Sequence, residues 1–290
     1  MHPYRSALYM PGSNRRALAK AKSLAADALI LDLEDAVAPD AKEAARDLVA
    51  GAIAERGFGA RRVLMRINAL DTPWGATDLE AAIAVRPDGL LLPKVASARD
   101  VGVVADTLAA ANPDHPSEIW AMIETPLGVL NAAEICAAPG MGGIVMGTND
   151  LLKDTGARAR ADRLALLGAL SHSLLAARAA GIVALDGVYN AFRDADGLRL
   201  ECEQGRDLGF DGKTLIHPAQ LEIANAVFAP TPADIDRARA EVAAYEAAVA
   251  AGAGVAVLDG RIVENLHVEA ARQTLAKAEA IAAMGAGDAG

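Results

Sequence analysis

Cysteine is almost absent: Cys136 and Cys202 are the only two in 290 residues. They form no Cys-x-x-Cys or zinc-type spacing, so a disulfide scaffold and a cysteine-built metal site are excluded. Both read as reduced, packed thiols of a cytoplasmic protein. Positive charge is also scarce, with 28 Lys and Arg against 38 Asp and Glu and a net charge of -10. Nucleic-acid binding rests on basic residues neutralising phosphates, so that class is set aside. A small anion needs only a local basic patch and stays open. No apolar stretch approaches the ~20 residues of a membrane-spanning helix. The N-terminal residues 1–11 lack the basic-then-apolar order of a secretory signal. No Ser sits in a Gly-x-Ser-x-Gly elbow, and no two histidines have a metal-ligand spacing.

What is present is alternation. Apolar, strand-like runs fall at 5–10, 28–33, 62–67, 89–93, 119–123, 143–147, 182–186 and 213–216. Between them lie Ala-rich helical stretches at 14–26, 40–56, 76–85, 97–111, 127–137, 162–180, 196–209 and 218–227. Strands separated by helices must be parallel, and eight strand–helix units make a (β/α)8 TIM barrel. A doubly wound open sheet would carry Gly-x-Gly-x-x-Gly after its first strand, and Met10-Pro11-Gly12-Ser13-Asn14 does not match. The expected division is a catalytic barrel over 1–230 and a helical extension over 231–290. In the extension, a helix opens at Thr231-Pro232 and runs to 251. An apolar piece from Val255 to Leu258 follows, then a second helix over 265–284 and a frayed end from Gly285. The extension either straps its own barrel or reaches a neighbouring subunit's site.

Polar side chains stand where the apolar runs end. Asp32, Glu34 and Asp35 follow Ala-Leu-Ile-Leu; Arg66 and Asn68 follow Val-Leu-Met; Lys94 follows Leu-Leu-Leu-Pro. Glu124 follows Trp-Ala-Met-Ile, Asn149 and Asp150 follow Ile-Val-Met-Gly-Thr, and His217 follows Thr-Leu-Ile. A parallel barrel gathers all such strand ends around one mouth. Glu124 and Asp150 leave neighbouring strands about 5 Å apart and so can share a divalent cation. Two carboxylates with room for water suit Mg²⁺, which keeps several waters beside substrate oxygens. The competing reading makes Thr148, Asn149 or Asp150 a helix cap. Glu34 and Asp35 are expected to hydrogen-bond to metal waters or to a basic neighbour rather than to ligate. Asp35 could instead cap the helix after Pro39. A charge such as Arg66 inside an apolar strand is costly unless paired, so it faces the mouth or holds a salt bridge. At the mouth it could bind a carboxylate or stabilise a thioester oxygen. Lys94 fits a positioning salt bridge or Schiff-base chemistry. His217, before Pro218, fits a loop-orienting role or a base. Arg15, Arg16, Lys20 and Lys22 cluster just past the first strand, where they suit a phosphate-bearing ligand or a solvated face.

Seven motifs occur in order: Arg5-Ser-Ala-Leu-Tyr-Met-Pro-Gly12, Asp32-Leu-Glu-Asp-Ala-Val37, Arg66-Ile-Asn68, Pro93-Lys94, Ile123-Glu-Thr125, Gly147-Thr-Asn-Asp-Leu151 and Ile216-His-Pro218. Together they resemble the citrate lyase β-subunit-like CoA-ester lyases of the HpcH/HpaI aldolase superfamily, across nearly the whole chain. Asp186-Gly-Val-Tyr-Asn-Ala-Phe-Arg193, Glu203-Gln-Gly-Arg-Asp207 and Glu264-Asn-Leu-His-Val-Glu269 look most like members that hydrolyse (3S)-malyl-CoA to malate and CoA. The resemblance implies a TIM barrel with Mg²⁺ (or Mn²⁺) on Glu124 and Asp150. It also implies substrate contact by Arg66, and CoA near Tyr9, Arg15, Arg16 and Lys20. In many relatives an acid from an adjacent subunit's tail, often Asp, completes the site; the matching position here is Glu264. The expected substrate is an acyl-CoA, and the expected assembly a homo-oligomer, trimer or hexamer. The alternatives are carbon–carbon cleavage of malyl-, β-methylmalyl- or citramalyl-CoA, a citrate lyase β-subunit acting on citryl-ACP, and a non-enzymatic CoA-binding scaffold barrel.

Overall fold

The computed structural model describes residues 2–114 and 117–287. Strands run from β1 (Ser6–Pro11) through β2 (Ala28–Asp32), β3 (Arg62–Arg66), β4 (Gly89–Leu92), β5 (Glu118–Ile123), β6 (Met141–Met146) and β7 (Val183–Asp186) to β8 (Gly212–Leu215). All pair in parallel in chain order, and β1 closes the ring on β8 through Ser6↔Lys213 and Leu8↔Leu215. The fold is a (β/α)8 TIM barrel. Around it lie α1 (Arg15–Ala21), α2 (Lys42–Glu55), α3 (Gly75–Val85), α4 (Ala98–Ala111), α5 (Pro126–Leu130) and α6 (Ala132–Cys136). The ring continues with α7 (Thr148–Thr155), α8 (Leu167–Ala180), α9 (Ala195–Leu208) and α10 (Leu221–Val227). Among the described residues no helix is long and apolar enough to cross a membrane.

Burial on both faces makes the strands continuous apolar runs: every residue of Ala28-Leu-Ile-Leu-Asp32 is buried. The barrel core packs Ala7, Ile30, Leu64, Leu91, Met122, Val145 and Leu185 around Trp120. That indole needs two glycines beside it. A Cβ added at Gly89 would lie 2.9 Å from the Trp120 ring, and one at Gly143 2.5 Å from it. Helix ends follow local chemistry. Asn14 accepts the Ala17 N–H, Ser97 and Asp100 form a reciprocal cap, and Asp194 accepts from Gly197. Gly156, Gly181 and Gly209 end α7, α8 and α9 in left-handed conformations.

Three stretches differ from the sequence reading. The helix expected over 127–137 breaks at Asn131, whose side-chain amide donates to the Ala96 carbonyl at 2.8 Å. The helix expected from 162 starts only at Leu167, because Arg163 is drawn inward at positive φ to a buried Asp186. Helix α7 was read only as a capped segment.

The tail forms a compact unit of its own from Val227 onward, together with the chain's first residues, while Tyr4–Ala226 forms the barrel unit. It contains α11 (Pro232–Ala250), β9 (Ala256–Leu258), β10 (Arg261–Val263) and α12 (Asn265–Gly287). The apolar piece is one arm of an antiparallel hairpin, turned at Asp259-Gly260 with both φ values positive. Ala256, Val263 and Val268 bury against Val242, Tyr245 and Ala248. Helix α12 continues through Gly287; the last positions of the frayed end, 288–290, lie outside the described residues.

Candidate active site

A cavity of about 330 Å³ opens at the carboxyl ends of the barrel strands. Its walls carry Tyr9, Asp32, Asp35, Arg66, Glu124 and Asp150, drawn from β1, the β2 end, β3, the β5 end and the start of α7. With Thr214 and Ile216 from the β8 end also on the wall, residues from 9 to 216 meet in one place.

Arg66 is the hub. Its Nε and Nη2 donate to the two Asp32 oxygens at 2.6 Å each, a bidentate pair buried at the last register position of β2 and β3. Nη1 lies 2.7 Å from Glu34 Oε2, 3.5 Å from Asp35 Oδ2 and 3.6 Å from Met122 Sδ. The Glu34 contact is a charge contact only, because its angle leaves Oε2 without a hydrogen bond. The Tyr9 ring stacks under the guanidinium at 4.8 Å. Burial works against this charge, yet the Asp32 hydrogen bonds and the surrounding acids raise the Arg66 pKa further.

Glu124 is buried, and burial raises its pKa. Its Oε1 accepts the backbone N–H of Lys94 at 2.7 Å. Lys94 stands at φ 51, a left-handed conformation disfavoured for a side-chain-bearing residue. The same residue sends Nζ to Asp150 Oδ1 at 2.9 Å; burial lowers its pKa, but that hydrogen bond and the charges of Glu124, Asp150 and Glu34 together raise it. One lysine therefore grips both carboxylates, by its backbone and by its side chain. Gly147 is required behind Glu124, since an added Cβ would run into the Glu124 side chain.

The remaining candidates sit apart or behind. Glu34 is not on the cavity wall. Asp35 is largely exposed on the rim and caps nothing; Asp32 takes the local turn instead, accepting from the N–H groups of Glu34 and Ala36. Asp150 lies in the first turn of α7, whose N-cap is Gly147, so it is not the cap. His217 accepts the Ala219 N–H and stacks on Phe192 at 4.7 Å, a loop-holding position off the cavity wall. Arg15, Arg16 and Lys20 are exposed along α1. Glu264 is exposed in the tail unit, its N–H donating to His267 Nδ1.

Lys42 was missed. Its Nζ donates to the carbonyls of Leu33 and Glu34 and to Asn68 Oδ1, all within 2.8 Å, and so fixes the loop that carries the acids. Its signal lay in spacing: Lys42, Ala45, Val49 and Ile53 form the buried face of α2.

Among the described residues no three His, Cys, Asp or Glu side chains stand as a ready metal cage. Glu124 and Asp150 nevertheless open on one cavity whose acids, Asp32, Asp35, Glu124 and Asp150, outnumber Arg66 and Lys94. Two carboxylates in such a field fit a hard, oxygen-seeking divalent cation that completes its shell with water and substrate oxygens.

The excess of acids has a consequence for pH. Burial raises the Glu34 carboxyl from 4.5 to about 7, Arg66 opposes the rise, and Asp35 and Glu124 add to it. The folded state then binds this proton more tightly than the unfolded chain. Stability from Glu34 is full below pH 4.5 and is lost as pH climbs through about 7. In chelator, wild type is expected to lose about 3 kcal/mol more than Glu34→Gln between roughly pH 4.5 and pH 8. Urea titrations across that range read the difference; parallel curves would refute it.

Comparison with known proteins adds the following. Residues 5–218 match the family model for HpcH/HpaI aldolase/citrate lyase. The chain is 60% identical over 282 residues to a (3S)-malyl-CoA thioesterase of Cereibacter sphaeroides, covering 97% of each. It is 36% identical over 281 residues to the citrate lyase subunit beta of Escherichia coli, covering 95% of this chain and 93% of that one. Among solved structures, CitE from Mycobacterium tuberculosis in complex with magnesium, acetoacetate and coenzyme A superposes with a TM-score of 0.78 at 33% identity. That match covers 96% of this chain and 98% of the other.

Proposed function

Because this chain belongs to the HpcH/HpaI aldolase/citrate lyase family, we propose that it is a Mg²⁺-dependent enzyme that hydrolyses (3S)-malyl-CoA to malate and CoA. The observation that carries the choice of reaction is the 60% identity to malyl-CoA thioesterases over 97% of both chains, against 36% to citrate lyase β-subunits.

Glu124 and Asp150 hold the metal in this reading, with Mn²⁺ an acceptable substitute. When bound, the ion supplies charge neutralisation and polarisation for the hydroxyl and carboxylate oxygens of the malyl group. Arg66 is clamped by Asp32 on one edge and lines the cavity, where it stabilises the oxyanion formed as water attacks the thioester carbonyl. Tyr9 and Met122 back the guanidinium and keep it from swinging. Lys94 holds Glu124 and Asp150 in place, and His217 orders the loop after β8.

A cavity of about 330 Å³ takes the acyl end and not the whole nucleotide. The CoA phosphates therefore lie outside it, against Arg15, Arg16 and Lys20, which leave α1 exposed just beyond β1. The residues from 231 onward reach a neighbouring copy within a homo-oligomer, trimer or hexamer, and bring Glu264 to its acyl group. The free, buried thiols of Cys136 and Cys202 suit a cytoplasmic setting.

Product analysis tests the reading. Pure protein with (3S)-malyl-CoA and Mg²⁺ should release free thiol and malate in equal amounts. Glyoxylate with acetyl-CoA would instead establish the lyase, and no turnover with retained CoA binding would establish a scaffold.

A further inference from the structure

A second polar cavity lies at the opposite end of the barrel, among the C-terminal ends of α2 and α3, the first residues of β3 and the residues just before β4. Its volume is about 270 Å³, and Arg56, Arg61, Arg62 and Arg86 all line it, against the single acid Asp88. In a chain of net charge -10 this is an unusual concentration of cations.

Two of the four are already committed. Arg62 pairs with Glu118 at 2.7 Å and Asp88 at 3.6 Å, and its Nε donates to the Tyr4 hydroxyl. Arg61 is buried, with Nε on the Leu24 carbonyl at 2.6 Å and Nη1 on the Phe58 carbonyl. The other two differ. Among the described residues, the side chains of Arg56 and Arg86 have neither a hydrogen bond nor an ion pair.

Their backbones are as informative as their charges. Arg56 sits at φ 61, ψ -158, a region essentially reserved for glycine, and Arg86 at φ 53, ψ 68, the left-handed helical region. Glycine would occupy either position without conformational cost. Complementing a helix C-terminus explains a cation nearby, but not one placed on a disfavoured backbone; a residue earlier it would serve as well. Two strained positions put exposed arginines with no protein partner among the described residues on the wall of one cavity, and strained side-chain-bearing residues gather at ligand clamps.

We propose that this cavity is a binding site for a phosphate-bearing small anion, remote from the catalytic mouth and held by Arg56 and Arg86. Planar guanidinium forks match phosphate oxygens two at a time, and two of them together suit a multiply charged oxyanion such as a phosphate better than a halide. The volume falls just below the roughly 300–1,000 Å³ of pockets that bury whole drug-sized ligands. A phosphate or diphosphate group fits it, and a complete CoA does not. The inference stands on this cavity alone and is independent of the reaction at the mouth.

The test is titration of the intact protein with inorganic pyrophosphate by calorimetry. Measured in Arg15→Ala/Arg16→Ala, which removes the phosphate contacts proposed on α1, the protein should bind one equivalent per chain saturably. Adding Arg56→Gly/Arg86→Gly should weaken that binding about a hundredfold, since two charge-assisted contacts are lost. Turnover of malyl-CoA without pyrophosphate should be unchanged in the Arg56→Gly/Arg86→Gly pair alone. Arg56→Gln/Arg86→Gln, which keeps the side-chain bulk, should lose binding equally. No binding by wild type, or binding that persists when either pair is added to Arg15→Ala/Arg16→Ala, overturns the proposal. So does binding that disappears only in Arg15→Ala/Arg16→Ala, which would place the anion at the mouth.

Discussion

Replacing Glu124 by glutamine is expected to lower Mg²⁺-dependent hydrolysis of (3S)-malyl-CoA by on the order of 10³-fold or more. Glutamine keeps an amide oxygen to accept the Lys94 N–H, so the loop geometry survives while the ligand charge is lost. The fold should not suffer, because a buried carboxylate with a raised pKa has been replaced by a neutral group of the same size. Asp150→Asn should give a similar loss through the other ligand and leave the Lys94 ammonium without its anion. Thiol release across a Mg²⁺ titration separates the two possible causes. If high Mg²⁺ restores either variant, the lesion is in affinity; if either keeps more than a tenth of wild-type activity, the ligand assignment is wrong.

Arg66→Met is expected to cost about 3–5 kcal/mol of stability and on the order of 10²–10³-fold in turnover. Removing the guanidinium leaves Asp32 buried without its countercharge, beside Glu34 and the Glu124 carboxyl. Arg66→Lys should recover only part of either loss, since one ammonium cannot make the paired contacts to both Asp32 oxygens. The double variant Arg66→Met/Asp32→Leu distinguishes the two effects. Stability should return toward wild type once both charges are gone, whereas activity should not. Recovery of turnover in that variant would show that Arg66 only neutralises Asp32 and takes no part in the chemistry.

The barrel was readable because fully buried parallel strands leave short apolar runs bounded by polar residues, and each of the eight runs corresponds to a strand. The strand-end position of Arg66 and Glu124 was readable for the same reason, whereas Asp150 stands past β6 in the first turn of α7. Their partners were not. Nothing local ties Arg66 to Asp32, 34 residues away, or Lys94 to Asp150, 56 residues away; closure of the ring creates both pairs. The cluster of Arg163, Asp186, Glu201 and Lys213 was equally hidden. Lys213 is wholly buried, bonded to Asp186 at 2.9 Å and Glu201 at 2.7 Å, within what reads as an ordinary strand. There Lys213 and Arg163 hold the Asp186 carboxylate below its usual range despite its burial. The hairpin of the tail has a local signal: Asp259-Gly260 between Val257-Leu258 and Arg261-Ile262 is the sequence of a two-residue turn.

Lys94 gives Asp150 a partner built into the chain. With its ammonium on Asp150, the pocket carries a tethered counterion of its own, and under the proposed ligand assignment metal uptake would be an exchange of cations on that carboxylate. On that reading Asp150 faces a cation in both states, so its carboxylate is not left unpaired when the ion leaves. Chelated enzyme should therefore keep its shape in storage and regain activity within the mixing time of added Mg²⁺.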